Sequence, residues 1–539
     1  MIEISINKLH QKFNHDSVDF EDDRFKILTS GIFLGIHTRQ ENSLVNHIVS
    51  EYSKKGESFA LDLRGSFAIY LFDKVHKKHL IYTNHIGDKR IFYTHTNKFL
   101  IVSNSIHHIR EILRDKKIRC YLDRNAAYYM LTFGYMLDDA TLINEVKRLK
   151  PGHYLRYQSG NLEIVQYFKL SNIPDKGLTE RDSIEQLDSL FRKSIQLEFE
   201  KDLEYGFKHI CSLSGGLDSR MTTWVAHELG YTDITDFTFS QSGYLDMTIP
   251  RQITRDLNHI WIFKSLDSGL FMCDIEPVNR ITDGMASYLP ISHGRSAVEE
   301  LSFDEFGLMH TGQLGDVIIG SYLTSNDYGT PRFTKGSSYR FIQKLPQNSL
   351  QQHDNLELFL FQNRGFNYIL TGNLPIQRYT EVCSPFLDLD FLNFCMSVPL
   401  KFRINHRLYK KWILQKYPGA ANYIWERLGT YITTPTISIR KKSVAYTKLP
   451  AFIFKGILHN LGIIDSKKLE GRRSMNPFQY WYDTKKEISS VLESFFEENI
   501  DLLSDPEIRE DCRYLYIKGS IQEKSQVLTL LASFKQFFT

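Results

Sequence analysis

Ile210-Cys211-Ser212-Leu213-Ser214-Gly215-Gly216-Leu217-Asp218-Ser219 is the stretch that decides how this chain folds. Positions 210–213 form a short apolar run that reads as a strand, and Ser214, Gly215 and Gly216 let the backbone turn tightly after it. Met221, Trp224, Val225 and Leu229 then recur on one helical face, with Gly230 as the stop. A strand, a glycine turn and a helix in that order place the turn amides at a helix N-terminus, where free N–H groups and the helix dipole attract anions. Outward along the chain the pattern repeats. Positions 234–239 read as a second strand, Ile249, Ile253 and Leu257 mark a helix, and 260–263 a third strand. Such a βαβαβ run predicts a parallel sheet. Upstream, Leu187, Leu190, Phe191 and Ile195 fall at helical spacing and lead into the first strand.

The residues before about 170 have another character. Short β-rich runs at 25–36, 66–72, 79–83, 91–93 and 99–103 alternate with turns, and Lys150-Pro151-Gly152-His153 is a turn signal before a strand at 154–157. A chain of 539 residues is too long for one core. Two units are therefore expected in an α/β protein: a β-rich one over residues 1–175 and a parallel-sheet one over 176–539. Beyond 440 the chain reads as helical. Arg440-Lys441-Lys442 is expected to be a solvated basic face, and Phe478, Tyr480, Trp481 and Tyr482 core rather than a ligand platform.

Bulk properties exclude several classes. The 66 basic and 63 acidic residues leave a net charge of +3, scattered rather than blocked, which argues against a nucleic-acid partner. Cys120, Cys211, Cys273, Cys383, Cys395 and Cys512 include no close pair, so neither a zinc cluster nor a redox dithiol is indicated. No run approaches the length of a membrane span, and Met1-Ile2-Glu3-Ile4-Ser5 lacks the regions of a signal peptide, so the expectation is a cytoplasmic protein with no membrane partner.

The chemistry centres on the glycine turn. No Gly-x-x-x-x-Gly-Lys-Ser/Thr string occurs, so a loop that delivers a γ-phosphoryl group is not on offer, and a loop that holds pyrophosphate suits adenylation better. Asp218, in the first helical turn, is placed to hold Mg²⁺ against phosphate oxygens. The bland alternative is a surface turn in which Asp218 or Ser219 caps the helix. The strand before it and the second strand ending at Phe239-Ser240 favour the ligand site, because α/β sheets bind ligands at strand C-terminal ends.

With those residues in view, Ser214-Gly215-Gly216-Leu217-Asp218-Ser219 resembles the pyrophosphate loop of the N-type ATP pyrophosphatases, and other segments resemble the asparagine synthetase family. Thr311-Gly312-Gln313-Leu314-Gly315-Asp316, running on to Gly320-Ser321-Tyr322, is similar to that family's Ser-Gly-Glu-Gly-Ser-Asp-Glu and Gly-Gly-Tyr segment. The block from Glu381 to Asp388, with Ser384-Pro385-Phe386-Leu387-Asp388, resembles its Glu-x-Arg-x-Pro-Phe-Leu-Asp. Leu63-Arg64-Gly65-Ser66-Phe67-Ala68 and Leu149-Lys150-Pro151-Gly152-His153 are similar to the glutaminase domain that precedes such synthetases.

This resemblance, over roughly residues 25 to 430, implies an N-terminal Ntn-hydrolase-like αββα domain and a C-terminal domain of the adenine nucleotide α-hydrolase type. It implies ATP and Mg²⁺ as cofactors, with Leu213, Ser214, Gly215, Gly216, Asp218, Ser219, Ser240 and Gly312 about the nucleotide. Asp218 and Asp316 would be the metal ligands, although Asp316 alone also reads as a helix-cap aspartate. Departures are informative. The family's nucleophilic Cys follows the initiator Met, where this chain has Ile2, so glutamine hydrolysis by that route is not expected. Thr83 and Asn84 replace the arginine and aspartate expected before Gly87. Gln313 stands where asparagine synthetases have Glu, and an amide takes up no proton. Glu381 is then the candidate base, or else merely the partner of an arginine such as Arg378. Arg427 is the nearest match to a lysine that stabilises the adenylate, or else a plain surface arginine.

Branches of the family with a non-catalytic glutaminase domain include β-lactam synthetases and lasso-peptide cyclases. The expected activity is accordingly amide-bond formation on a small-molecule, peptide or sugar carboxylate through an acyl-adenylate, releasing AMP and pyrophosphate. A precursor peptide or a biosynthetic partner protein is the partner such a reaction would need. Ammonia-dependent asparagine synthesis, and a non-enzymatic protein that keeps the fold, are the alternatives.

Overall fold

The computed structural model describes all residues except 1, 41, 335–339, 440–441 and 451–473. The expected basic face at Arg440-Lys441-Lys442 lies outside the described residues or their described side chains.

Alternation of side chains along strands builds the N-terminal half. A six-stranded antiparallel sheet runs in the order Asn161–Gln166, His153–Gln158, Lys78–Thr83, Phe67–Asp73, Phe25–Gly31, Asp19–Glu21. A four-stranded sheet has Ile2–Ser5 at one edge, parallel to Phe99–Ser103, followed by Phe92–Thr96 and Lys147–Arg148. Successive residues point to opposite faces. Ala68, Tyr70 and Ile81 thus meet Tyr93, Leu100 and Val102 in one core between the sheets. Ile69, Leu71 and Leu80 turn the other way, against Leu44, Val45 and Ile48 of the helix Ser43–Lys55. Ile101 and Phe92 face outward from the second sheet onto the helices Ile106–Asp115 and Arg124–Phe133. The layers are helix, sheet, sheet, helix. The run expected to extend to 36 leaves the strand at Gly31, whose φ of +106° no L side chain adopts comfortably, and where an added Cβ would lie 2.0 Å from the Ser66 carbonyl oxygen.

The second half contains a five-stranded, all-parallel sheet in the order Ile260–Ser265, Ile234–Ser240, Lys208–Ser212, Phe306–His310, Val382–Cys383. The chain enters at the central strand, moves to one edge through the helices Asp218–Glu228 and Leu245–Leu257, then crosses back to fill the other side. The order therefore reverses between Lys208–Ser212 and Phe306–His310. In doubly wound sheets the crevice at such a reversal, at the strand C-terminal ends, is where ligands bind.

Below the sheet lies the long helix Glu180–Tyr205, capped by Thr179, whose hydroxyl accepts from the Asp182 amide. Its Phe191, Ile195 and Phe199 pack with Cys211, Met221, Val225 and Trp412. The opposite face of the sheet, at Ile210, Phe237 and Met309, packs on Ala297 and Val298 of the helix Leu289–Val298.

The last described segment is helical, as expected: Phe478–Thr484, Lys486–Asn499, Pro506–Lys518 and Ile521–Phe538. Trp481 is buried, and Phe478, Tyr480 and Tyr482 pack against the same core. Ile521–Phe538, started by a Ser520/Glu523 capping box, is buried along most of its length between Arg124–Phe133 and Ile275–Thr282. One apolar cluster thus joins residues from both sides of position 175. Among the described residues no helix is long and apolar enough to cross a membrane.

Candidate active site

The reversal in strand order brings two loops together. One follows Lys208–Ser212 and contains Ser214 to Leu217; the other follows Phe306–His310 and contains Thr311 to Leu314. They touch at Gly312, where an added Cβ would stand 2.2 Å from the Ser219 nitrogen and 2.3 Å from the Asp218 carbonyl carbon. Only glycine permits that approach. Leu314 takes a left-handed φ of +65°, and the helix Gly315–Gly320 starts with its second residue, Asp316, donating its amide to Asp218 Oδ2 at 2.9 Å.

Asp218 and Asp316 therefore come from different loops onto one cavity. Asp218 is held further by the Tyr409 hydroxyl, which donates to Oδ1 at 2.8 Å. Burial, and next the Asp316 carboxylate, raises the proton affinity of Asp218 well above the carboxylate range. Such a pair is stabilised as a dianion only by a cation, and two hard oxygen donors suit Mg²⁺. Arg427 partly serves that role: its Nη1 lies 3.3 Å from Asp316 Oδ2 and 2.9 Å from His406 Nε2, over the Trp425 ring.

The cavity has a volume of about 490 Å³. Its lining includes Ser214, Gly216, Asp218, Ser219, Gly312, Gln313, Asp316 and Arg427 among the sequence candidates. Leu213 and Ser240 do not line it. Each is almost fully buried, and the neighbours Ser212 and Phe239 face the space instead, as alternation along a strand requires. Gln313 brings its carboxamide to the cavity with Oε1 buried and without a hydrogen-bond partner among the described residues, while its backbone carbonyl accepts from the Ser384 hydroxyl at 3.0 Å.

The turn amides differ from expectation. Rather than standing free, the Ser214 amide donates to Ser219 Oγ at 2.9 Å, the Gly216 amide to Ser214 Oγ at 3.2 Å, and the Gly215 amide to Asp246 Oδ1 at 2.7 Å. The reason is local: a buried N–H is costly to leave unmet, and small hydroxyls within the turn reach it first. Asp246 belongs to the first turn of Leu245–Leu257, and its pKa is pushed up to about 6 by burial and then by the Glu426 carboxylate. Glu426 is held in turn by the Tyr244 hydroxyl.

Glu381, expected as the base, is not at the cavity. It is buried against the N-terminal half, with Lys89 Nζ at 2.5 Å and His10 Nε2 at 3.3 Å. Burial alone would raise its pKa, but those two partners hold it down at about 2. A carboxylate so strongly ionised and enclosed is a poor proton acceptor, and its partner is not Arg378.

The N-terminal half carries no thiol at position 2. Ile2 begins an edge strand and is 37% exposed. Between the halves, Arg64, Asn84, Asp88 and Ser384 surround a space of only about 50 Å³, roughly a tenth of the other cavity. Arg64 is committed to Asp390 at 2.7 Å and Asp88 to the Ser66 hydroxyl at 2.6 Å.

Sequence reasoning did not find Asp246, His406, Tyr409 or His293. None belongs to a motif, and each reaches the site through folding of distant segments. A buried network of Asp202, His209, His310 and Glu198 beneath the central strands was likewise unforeseen. Asp202 Oδ2 receives His209 Nδ1 at 2.9 Å and His310 Nε2 at 2.8 Å. Burial opposes charge on His310, yet Asp202 and Glu198 raise it to about 9. These contacts are hydrogen bonds, closer than the ligand atoms around one tetrahedral ion stand.

Residues 35–168 match the family described as glutamine amidotransferase domain. The chain is also 24% identical over 213 residues to amidase chry2 of Gibberella zeae, a stretch covering 39% of this chain and 30% of that protein. It is 24% identical over 225 residues to amidase chyE of Penicillium rubens, covering 41% and 31%. It is 26% identical over 233 residues to the glutamine-hydrolysing asparagine synthetase 2 of Bacillus subtilis, covering 39% and 29%. The matched stretches span about three tenths of these relatives. Residues 35–168 are thus similar to a glutamine amidotransferase domain, and the chain is weakly similar to two amidases and an asparagine synthetase.

Proposed function

We propose that this chain is an ATP-dependent carbon–nitrogen ligase that adenylates a carboxylate and passes the acyl group to an amine. A carboxylate oxygen bonds to the α-phosphorus of ATP as the bond to pyrophosphate breaks. The amine nitrogen then bonds to the acyl carbon, AMP leaves, and the nitrogen loses a proton. The observation that supports this reading best is the meeting of Asp218 and Asp316 beside a glycine turn, at the reversal point of a parallel sheet.

On this reading Ser214, Gly216 and Ser219 receive the outer phosphates, and Asp218 and Asp316 hold Mg²⁺. That ion, when bound, would offset the charge gathering on the departing pyrophosphate. Arg427 lies beside Asp316, where a fixed cation assists the same charge. Gln313 hydrogen-bonds without exchanging protons, so the amine arrives neutral. An amine already carried by the substrate meets that demand through proximity, as in ring closure of a peptide or natural product. Glutamine is not the nitrogen source, since position 2 offers no nucleophile.

A specific observation favours one other reading. Asp246 occupies the Gly215 amide, and a protein that keeps this fold without turnover would show the same satisfied loop.

Exchange of labelled pyrophosphate into ATP, run across peptide, sugar-acid and amino-acid carboxylates, separates the two. Wild-type protein should catalyse carboxylate-dependent exchange and Asp218→Ala should abolish it. Release of ADP and phosphate with the active carboxylate would overturn adenylation, and absence of ATP binding would favour the non-enzymatic reading.

A further inference from the structure

Asp316 rides on a helix too short to hold itself in place. Gly315–Gly320 has six residues, far below the length at which a helix is stable alone. Leu314 before it and Ser321 after it take left-handed backbone angles, φ +65° and +71°, without being glycine. Such conformations persist only where the surroundings dictate them. A buried ion pair supplies that constraint. Arg403, which ends the helix Leu400–Arg403, and Glu357, in the helix Leu356–Leu360, have fully buried side chains. They meet through Nη2 and Oε1 at 2.8 Å and through Nη1 and Oε2 at 3.2 Å. Both also reach the helix of Asp316: Arg403 Nη2 donates to the Ile318 carbonyl at 3.2 Å, and the Ser321 hydroxyl donates to Glu357 Oε1 at 3.1 Å. Asn172 Nδ2 donates to Glu357 Oε2 at 2.9 Å and completes the carboxylate. The same helix end lies against His406, where a Cβ added at Gly320 would stand 2.3 Å from Nδ1. Two charges taken out of water gain little net stability even when paired, and a fixed geometry is the other thing such a pair can supply.

We propose that Arg403 and Glu357 are positioning residues for the metal site: by fixing Ile318 and Ser321 they set where Asp316 stands relative to Asp218. The inference rests on the reading that those two carboxylates hold Mg²⁺. Neither Arg403 nor Glu357 lines the cavity, so both act through the helix rather than on the nucleotide. Mg²⁺ demands near-ideal placement of its oxygen ligands. Loss of the pair therefore reaches the metal and spares the rest of the cavity.

The test is equilibrium binding of ATP with and without Mg²⁺. The double variant Arg403→Met/Glu357→Met removes both charges at once, leaves no buried charge unpaired and so keeps the fold, which urea unfolding checks. It should bind metal-free ATP as the wild type does and lose about tenfold in affinity for Mg–ATP. Arg403→Lys keeps the charge without the planar fork and should fall in between. Ser321→Ala leaves the ion pair intact and drops one of its two bonds to the helix, so its loss for Mg–ATP alone should be about threefold. That variant decides the matter if the double one does not fold. A folded double variant with an undiminished preference for Mg–ATP over free ATP overturns the inference and leaves the metal reading standing. Equal losses with and without Mg²⁺ also overturn it, since they would report a general disturbance of the cavity. If wild-type protein binds ATP no better with Mg²⁺, the metal reading fails, and this inference with it.

Discussion

Replacing Asp246 by Asn should stabilise the protein in alkaline solution and do progressively less as the solution is acidified. Asp246 is 7% exposed, and its pKa stands at about 6 against an ordinary 3.8. A carboxyl whose pKa is raised on folding binds more protons folded than unfolded. Its contribution is then fully present below about pH 4 and is lost as pH rises through about 6. Two pKa units correspond to about 3 kcal/mol at pH 8, as an upper bound. The asparagine carbonyl can still accept from Gly215, but its new NH₂ needs a partner, which brings the expected gain to about 1–2 kcal/mol at pH 8. At pH 5 the ionisation penalty is roughly half as large while the cost of the NH₂ is unchanged, so the gain should fall to about zero. Urea midpoints of both proteins at the two pH values measure it. Metal-free tripolyphosphate should also bind the variant more tightly at pH 8, since a negative charge beside the loop has gone. A variant no more stable at pH 8, or one whose gain does not shrink at pH 5, would refute the reasoning that a buried carboxylate sits unfavourably in the phosphate cradle.

Two further outcomes follow from packing and charge. Gly312→Ala forces a Cβ to within 2.2 Å of the Ser219 nitrogen, so the loops must part; ATP affinity measured by calorimetry should fall at least tenfold, with about 1–3 kcal/mol of stability lost. Glu381→Gln leaves Lys89 and His10 without their buried counter-charge, and urea unfolding at pH 7 should show a loss of about 3–5 kcal/mol. Because Glu381 is held at about 2, the stability it contributes is intact above about pH 4.5 and disappears only as pH falls towards 2, where variant and wild type should converge.

Three of the five parallel strands were legible from apolar runs and 3.6-residue spacing, whereas Phe306–His310 and the two-residue Val382–Cys383 follow no such βα alternation and were not. The pairing of Asp218 with Asp316 was reachable only through resemblance, for no periodicity records which loops meet across a separation of 98 positions. Leu213, just past the strand Lys208–Ser212, and Ser240, the last residue of Ile234–Ser240, show the limit of position reading at a strand end. A one-residue error moves a side chain from the cavity to the core. Glu381 shows another limit: the block containing it keeps its Glu and Pro-Phe-Leu-Asp, with Cys383 in place of the Arg, but the partners that hold its charge, Lys89 and His10, come from the opposite end of the chain. The satisfied turn amides were invisible for a similar reason, since Asp246 looks like any acidic residue in a first helical turn.

The buried helix Ile521–Phe538 makes the two halves mutual supports rather than tenants of one chain. Expressed alone, residues 1–175 would lose the cover that Ile521–Phe538 gives Arg124–Phe133, and a protein shorn of its final helix would weaken first beside Arg124–Phe133, hundreds of positions earlier in the sequence. The amidotransferase-like half is thus tied into the protein as a buttress. Recombining it with an unrelated ligase would transplant an unsealed seam.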